Sequence, residues 1–188
     1  MKLNAFILAG GKSSRMGVDK GLVHLAGKPM IQYIIDTLES MKLPIQIISN
    51  NAEYKNFGYP VFNDLISDKG PIGGIYTALS VSDSEMNLIL SCDTPFVNTD
   101  LIESLIEESE NQSVTISEFD GWQHPLIGLY SKSGIKTFQS QIEKNELKLS
   151  KANDLLNVKI VPMDSIQGIT AHAFENINTI EELKEASN

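Results

Sequence analysis

Cysteine, arginine and long apolar runs are scarce in this sequence, and each scarcity excludes a class of protein. With one cysteine, Cys92, in 188 residues, the chain can form no internal disulfide and no cysteine-rich zinc site. No apolar run reaches the roughly 18 residues that a membrane-spanning helix needs. The first residues place glycine, lysine and arginine directly after a short apolar stretch, which is not the pattern of a secretory signal peptide. We therefore expect a cytoplasmic protein without a membrane partner.

Basic side chains are outnumbered overall, yet they are concentrated near the start of the chain. The sequence has 15 basic and 24 acidic residues, with a formal net charge of −9. Residues 1–28 hold five of the basic residues, including the single arginine, Arg15, and only one acidic residue. An acidic chain offers few of the phosphate contacts on which binding to long nucleic acids depends. A local basic cluster instead favours a small anionic ligand, so we expect no nucleic-acid partner.

Short apolar segments alternate with amphipathic ones through the first hundred residues. The pattern predicts buried strands at Asn4–Leu8, Gln46–Ser49, Val61–Phe62 and Asn87–Ser91, and helices that begin near Pro29 and Pro71. Further along, it predicts strands near Ser113–Ser117 and Leu126–Tyr130, helices near 132–143 and 147–156, and capping boxes at Asp100/Glu103 and Thr179/Glu182.

Strands that are apolar throughout are typical of a parallel sheet covered on both faces. The predicted fold is therefore α/β: a three-layer α/β/α sandwich with a mostly parallel, Rossmann-like sheet, formed by a single domain over residues 1–188. In such sheets ligands bind beyond the carboxyl ends of the strands.

A glycine-rich segment, LAGGKSSRMGVDKG at residues 8–21, follows the first predicted strand. Glycine allows backbone N–H groups to approach a ligand closely, and lysine and arginine supply positive charge. The segment therefore predicts a phosphate-binding loop, for which the candidate residues are Gly10, Gly11, Gly17, Lys12, Arg15 and Lys20. The alternative is a strand-to-helix turn with exposed lysines.

Two common phosphate-binding patterns do not fit this loop. A Walker loop that ends at Gly11-Lys12-Ser13 would need glycine at position 6, where the chain has Phe6. The dinucleotide fingerprint G-x-G-x-x-G, begun at Gly10 or Gly11, would need glycine at Lys12 or Ser13. A dinucleotide-dependent oxidoreductase is therefore disfavoured.

Three polar residues follow other predicted strands. Asp93 comes directly after the strand that ends at Ser91, and a carboxylate there is suited to Mg²⁺, which prefers oxygen ligands. Asn50 and Asp64 follow the second and third strands. All three are also residue types common in turns, so each has a purely structural alternative.

The pattern L-A-G-G-x-S-x-R-M-G-x-D-K, at residues 8–20, resembles the molybdenum cofactor guanylyltransferase (MobA) family. The resemblance covers nearly the whole chain. It continues at Gly21-Leu22, Gly27-Lys28-Pro29, Asn50, Asp64, Gly70-Pro71, Gly73-Gly74-Ile75, Cys92-Asp93-Thr94-Pro95-Phe96, His124-Pro125-Leu126 and Asn176-Ile177-Asn178-Thr179. Ile180 stands where the family often has proline.

The resemblance implies a nucleotidyltransferase fold that transfers GMP from GTP to the phosphate of molybdopterin. It implies a nucleotide site in the first half, formed by Leu8, Ala9, Gly10, Gly11, Lys12, Lys20, Asn50, Asp64 and Asp93, and a second-substrate site formed by His124, Asn176 and Asn178. It further implies catalytic roles for Arg15, Lys20 and Asp93, with Asp93 as the ligand of Mg²⁺ or Mn²⁺. The implied partners are other molybdenum cofactor assembly proteins and target molybdoenzymes.

Two alternatives stay open at this point. One is a cytidylyl or uridylyl transferase of the same fold, because few contacts decide which base is bound. The other is a nucleotide-binding paralogue that has lost the transfer reaction, against which the presence of Arg15, Lys20 and Asp93 argues.

Overall fold

The computed structural model describes residues 2–10, 19–110 and 112–186, with the backbone alone at residue 180. Its strands are β1 (Leu3–Leu8), β2 (His24–Leu25), β3 (Lys28–Pro29), β4 (Ile45–Ile48), β5 (Val61–Phe62), β6 (Met86–Ser91), β7 (Val114–Phe119), β8 (Trp122–Ser131) and β9 (Val158–Pro162). Its α-helices are α1 (Met30–Ser40), α2 (Gly70–Val81), α3 (Thr99–Glu107), α4 (Ile135–Glu143), α5 (Leu149–Asn153) and α6 (Ile180–Ala186).

Seven strands form one sheet in the order β5-β4-β1-β6-β8-β7-β9. Strands β5, β4, β1 and β6 pair in parallel, as do β7 and β9, whereas β8 is antiparallel to both of its neighbours. Strands β2 and β3 form a separate antiparallel hairpin. The prediction of a mostly parallel sheet is confirmed, with β8 as the reversed strand.

The central strands are buried on both faces, as their continuous apolar sequences predict. All six residues of β1 are buried. Because successive side chains of a strand point to opposite faces, Leu3, Ala5 and Ile7 join one hydrophobic cluster, whereas Phe6 and Leu8 join another. The sheet therefore separates two cores.

Helices cover both faces of this sheet. The apolar faces of α1 and α3 pack in the first cluster, and those of α2, α4 and α5 pack in the second. The predicted three-layer α/β/α arrangement is therefore confirmed. In α1 the buried residues recur at helical spacing, as expected for a helix with one face on a core: Met30, Ile31, Ile34, Ile35 and Leu38.

One of the two predicted capping boxes is wrong. Asp100 lies inside the first turn of α3, and the helix begins two residues earlier than it would if Asp100 were its cap. The cap is Asn98, whose side-chain oxygen accepts a hydrogen bond from Leu101 N at 3.0 Å. The Thr179/Glu182 box is confirmed, because each side chain accepts a hydrogen bond from the backbone N–H of the other residue, at 3.0 and 3.1 Å.

Strand β8 is longer than the strand predicted near Leu126–Tyr130, and it contains His124. Its pairing with β7 shifts register between Ile116 and Ser117, so that Ile116 pairs with Gly128 and Ser117 with His124. Because β8 runs against β6, its first residues lie at the edge of the sheet where β6 ends.

Among the residues that the structure describes, no helix is both long and apolar enough to cross a lipid bilayer.

Candidate active site

The parallel strands β1, β4, β5 and β6 all end at one edge of the sheet. Their last rungs are continued by backbone hydrogen bonds from Ala9 N to Ile48 O (2.9 Å), from Ser49 N to Phe62 O (2.9 Å) and from Cys92 N to Leu8 O (3.1 Å). The loops that follow these strands carry the polar residues singled out from the sequence. Four neighbouring loops therefore begin at the edge where the ligand crevice is predicted.

The glycine-rich segment begins at this edge, and its described residues differ in what they can offer a ligand. Leu8 and Ala9 are buried in the cores, so only their backbone can face the crevice. A Cβ atom built on Gly10 would meet no atom of the described residues within 4 Å, which leaves open space beside this backbone. Gly11, Lys12, Arg15 and Gly17 lie outside the described residues, and their predicted roles stay predictions.

Lys20 lies between two residues that are far from it in the sequence. Its ammonium group donates a hydrogen bond to Asn178 Oδ1 at 2.5 Å and lies 3.6 Å from Asp93 Oδ2. The side chains of Lys20 and Asp93 are 25 % and 22 % exposed, so both remain open to a ligand from the crevice. A cation and a carboxylate in contact at an open strand edge can bind a phosphate group and a metal ion side by side.

Asp93 is fixed by the turn that follows β6. Ser91 Oγ donates to Asp93 Oδ1 at 2.5 Å, and Thr94 Oγ1 donates to Ser91 O at 2.9 Å. From the far end of the chain, Ile177 N donates to Asp93 O at 2.9 Å. One carboxylate oxygen is therefore tied to the turn, whereas the other faces Lys20.

The donor set at Asp93 fits one kind of magnesium site. Within residues 2–10, 19–110 and 112–186, no group of three His, Cys, Asp or Glu side chains is arranged to hold a metal ion. Mg²⁺ commonly takes one or two protein carboxylates and completes its shell with water and substrate phosphates. A lone carboxylate at the edge where the predicted phosphate-binding loop begins fits an ion of that kind, which the substrate would bring and share.

Asn50 and Asp64 form a reciprocal pair beyond β4 and β5. Asn50 Nδ2 donates to Asp64 Oδ2 at 3.1 Å, and Asp64 N donates to Asn50 Oδ1 at 3.0 Å. Burial raises the pKa of the Asp64 carboxyl, and the hydrogen bond from Asn50 partly offsets that rise. The Asp64 carboxylate is thus a half-buried acceptor on the far side of β1 from Asp93.

His124 lies in an aromatic cluster and makes no contact with Lys20 or Asp93. Its ring centroid is 4.6 Å from that of Phe174, which stacks on Phe119 at 4.9 Å. Burial lowers the pKa of His124 and so favours the neutral form of its ring. The segment from Phe174 to Asn178 nevertheless connects the two places, because Phe174 packs on His124 and Asn178 accepts from Lys20.

The two asparagines near the end of the chain are placed differently from one another. Asn178 joins the Lys20 cluster, whereas Asn176 is exposed and has no hydrogen bond with another described residue. Ile177 between them is buried. A buried Ile177 between two more exposed asparagines fits the alternation of an extended segment, and the second-substrate role of Asn176 stays a prediction.

Several site residues were missed from the sequence. Ser91 supports Asp93, while Asn51 and Tyr54 hold Asp19, the residue before Lys20. The sequence analysis gave a role to Asn50 only. The second asparagine of the Asn50-Asn51 pair follows the same predicted strand, and this position was a signal that it too could lie near the site. Cys92 is buried, and burial together with the nearby Asp93 and Asp19 raises the pKa of its thiol, in keeping with a packing role.

Comparison with known proteins places the chain in a family. The family model described as the MobA-like NTP transferase domain matches residues 5–157. The chain belongs to the MobA-like NTP transferase family. It is thus a nucleotidyltransferase, as its resemblance to that family predicted, and the matched residues include Lys20, Asn50, Asp64 and Asp93.

Individual MobA-like relatives match over almost their full length. The chain is 42 % identical over 184 residues to a "probable molybdenum cofactor guanylyltransferase" of Flavobacterium johnsoniae, covering 97 % of this chain and 95 % of the relative. It is 34 % identical over 191 residues to the molybdenum cofactor guanylyltransferase of Haemophilus influenzae, covering 97 % and 96 %. The crystal structure of molybdopterin-guanine dinucleotide biosynthesis protein A from Archaeoglobus fulgidus superposes with a TM-score of 0.83 at 25 % identity, covering 98 % and 96 %.

Proposed function

We propose that this protein transfers GMP from GTP to the phosphate of molybdopterin, forms the molybdopterin guanine dinucleotide cofactor and releases pyrophosphate. The observation that carries the proposal is the cluster of Lys20, Asp93 and Asn178 at the carboxyl edge of the sheet, beside the backbone of Gly10. The names of the relatives support the choice of guanine and of molybdopterin.

In the proposed reaction, an oxygen of the molybdopterin phosphate attacks the α-phosphorus of GTP. A new P–O bond forms while the bond from the α-phosphorus to the bridging oxygen of the β-phosphate breaks, and that oxygen leaves with pyrophosphate. The nucleophile is already an anion, so no strong general base is required. The barrier comes from repulsion between two anions and from charge that develops on the leaving group.

Lys20 would lower that barrier, because its positive charge reduces the repulsion between the two anions. Its ammonium group already contacts Asn178 and Asp93, so its position is set before the substrate binds. On the sequence pattern, Arg15 and Lys12 add charge for the departing pyrophosphate, and the backbone from Leu8 to Gly11 holds the triphosphate in line.

Asp93 would hold Mg²⁺ or Mn²⁺ together with the phosphate oxygens. When bound there, the ion neutralises phosphate charge and helps to orient the reacting groups. Ser91 restrains one carboxylate oxygen, which leaves the other available toward Lys20 and the crevice.

The Asn50–Asp64 pair is proposed to contact the base of GTP. A carboxylate accepts hydrogen bonds, and the guanine edge presents N–H donors where cytosine and uracil do not present the same pair. Asn50 restrains Asp64 through two hydrogen bonds and so fixes the direction of the acceptor. His124 and Asn178 are proposed to face molybdopterin, with Asn176 at the exposed margin. Other cofactor assembly proteins and target molybdoenzymes are proposed partners.

The Asp93→Asn variant tests this mechanism. Because asparagine can still accept the hydrogen bond from Ser91, we expect an unchanged melting temperature and a loss of guanylyl transfer of about 10³-fold or more. The assay measures guanine dinucleotide and pyrophosphate formed from GTP and molybdopterin with Mg²⁺. Asp83→Asn is the matched control, since Asp83 pairs with Lys2 away from the crevice. Full activity of the Asp93→Asn variant would remove Asp93 from the mechanism.

A further inference from the structure

Asp19 is an acidic residue whose carboxylate is held by two donors from a distant loop. The Tyr54 hydroxyl donates to Asp19 Oδ1, and Asn51 Nδ2 donates to Asp19 Oδ2 at 3.2 Å. Tyr54 is completely buried, so its hydroxyl finds its partner here rather than in water. Both oxygens of Asp19 are therefore engaged by the protein, which makes this carboxylate a structural anchor.

The anchor begins the turn that carries Lys20. Residues Lys20–Leu22 form one turn of 3-10 helix. Leu22 N donates to Asp19 O, and Val23 N donates to Lys20 O, each at 3.1 Å. The carboxylate that Tyr54 and Asn51 hold thus belongs to the first residue of the turn that presents Lys20.

Gly21 packs directly against the same tyrosine. A Cβ atom at Gly21 would lie 2.4 Å from Tyr54 Oη and 3.2 Å from two ring carbons. The turn and the tyrosine are therefore in contact at two points, the Asp19 carboxylate and the Gly21 backbone.

We infer that Tyr54 and Asn51 are positioning residues for Lys20. They hold Asp19, and through it the turn that sets the Lys20 side chain between Asp93 and Asn178. The inference deepens the proposed function, because it rests on Lys20 acting on the phosphates. It also assigns separate tasks to two adjacent asparagines: Asn50 restrains Asp64, whereas Asn51 restrains Asp19.

Lysine needs such support more than most residues do. Its long side chain is flexible, and a displacement of about 1 Å at a reacting centre can cost roughly 10²-fold in rate. We therefore expect Tyr54→Phe to lower kcat for guanylyl transfer by about tenfold or more, at unchanged protein folding. Tyr59→Phe is the matched control, because Tyr59 donates to the exposed Glu39 and its loss should leave kcat unchanged.

A double-mutant cycle separates positioning from a general structural effect. If Tyr54 acts through Lys20, then Tyr54→Phe in a Lys20→Met background should cause no further loss of kcat. A change in KM does not enter this comparison. If the double variant instead loses kcat by the product of the two single losses, the two residues act independently and the inference is overturned. Asp19→Ala should repeat the loss of Tyr54→Phe, which keeps the test usable if the tyrosine variant folds poorly.

Amide hydrogen exchange at Leu22 and Val23 reads the turn without any substrate. We expect faster exchange at these two amides in Tyr54→Phe and unchanged exchange in Tyr59→Phe. If exchange is faster in Tyr54→Phe but the wild-type protein makes no guanine dinucleotide, the proposed function alone is contradicted. Normal guanylyl transfer with unchanged exchange and unchanged kcat in Tyr54→Phe would contradict the positioning role alone.

Discussion

Asp64 and Asp93 are both partly buried aspartates after parallel strands, yet their neighbours differ. Asp93 lies 3.6 Å from a lysine, whereas Asp64 is held by the neutral amide of Asn50. Burial disfavours the charged form of Asp64, which is why its pKa is raised. In the proposed site, the N–H donors of the guanine base would add hydrogen bonds to this carboxylate.

This difference predicts a pH-dependent effect of Asp64→Asn. With a folded pKa above the ordinary value of 3.8, the folded state binds more protons than the unfolded state between those two values, so stability falls as pH rises through that window. The variant lacks this loss. The difference in melting temperature, variant minus wild type, should therefore rise from pH 3.5 to pH 7, and a flat difference would contradict the assignment.

Among single residues, the sequence predicted which side chains stand at the site better than it predicted their partners. Lys20, Asp93 and Asn178 were each named, but their contacts join residues up to 158 positions apart, and no local pattern encodes such a pairing. Ile177 is buried and its N–H donates to Asp93 O, which brings Asn178 to Lys20 and leaves Asn176 exposed.

Among the helices and strands, the apolar central strands were predictable and the irregular strand β8 was less so. Its first half contains His124-Pro125, and its register with β7 shifts at Ile116/Ser117, so period-two alternation is lost there. Ser117 Oγ donates to Ile127 O at 3.1 Å, and the Tyr130 hydroxyl donates to Pro125 O at 2.7 Å, across this irregular stretch. Side chains of β7 and of β8 itself thus add hydrogen bonds where the regular ladder is interrupted.

Gly128 is the glycine of β8 and lies close to the neighbouring strand β7. A Cβ atom there would lie 2.8 Å from Thr115 O and 2.9 Å from Ile116 Cγ2. We expect Gly128→Ala to lower the free energy of unfolding by about 1–3 kcal/mol, measured by urea denaturation. Gly134→Ala is the control, because its Cβ would meet only ordinary contacts at 3.4 Å and longer; a similar loss in both variants would contradict the steric cause.

The cap of α3 offers a second test among the elements. Asn98 accepts from Leu101 N and also donates from Nδ2 to Gly168 O at 3.0 Å. We expect Asn98→Ala to cost about 0.5–2 kcal/mol of unfolding free energy. Asp100→Ala, at the residue that the sequence pattern had indicated as the cap, should cost less in the same thermal or urea experiment. The reverse order would restore the capping box at Asp100 and Glu103.

For the molecule taken together, the sheet order explains why a chain without disulfides can build a defined crevice. Apolar strands buried between two cores hold four loops at one edge, and the final segment returns from Phe174 to Asn178 to complete the cluster at Lys20. The layers and the crevice followed from composition and periodicity. The return of the last segment did not, because it depends on single contacts with Asp93 and His124.

The proposal of guanylyl transfer is tested most directly by competition between nucleotides. Wild-type protein is given molybdopterin, Mg²⁺ and equal concentrations of GTP, CTP, UTP and ATP, and the dinucleotide products are separated and quantified. We predict the guanine dinucleotide as the main product, formed with one pyrophosphate each. A cytosine or uracil dinucleotide as the main product would agree with a nucleotidyltransferase but contradict the assignment of GTP as its substrate. The absence of any dinucleotide product would contradict the proposed transfer to molybdopterin.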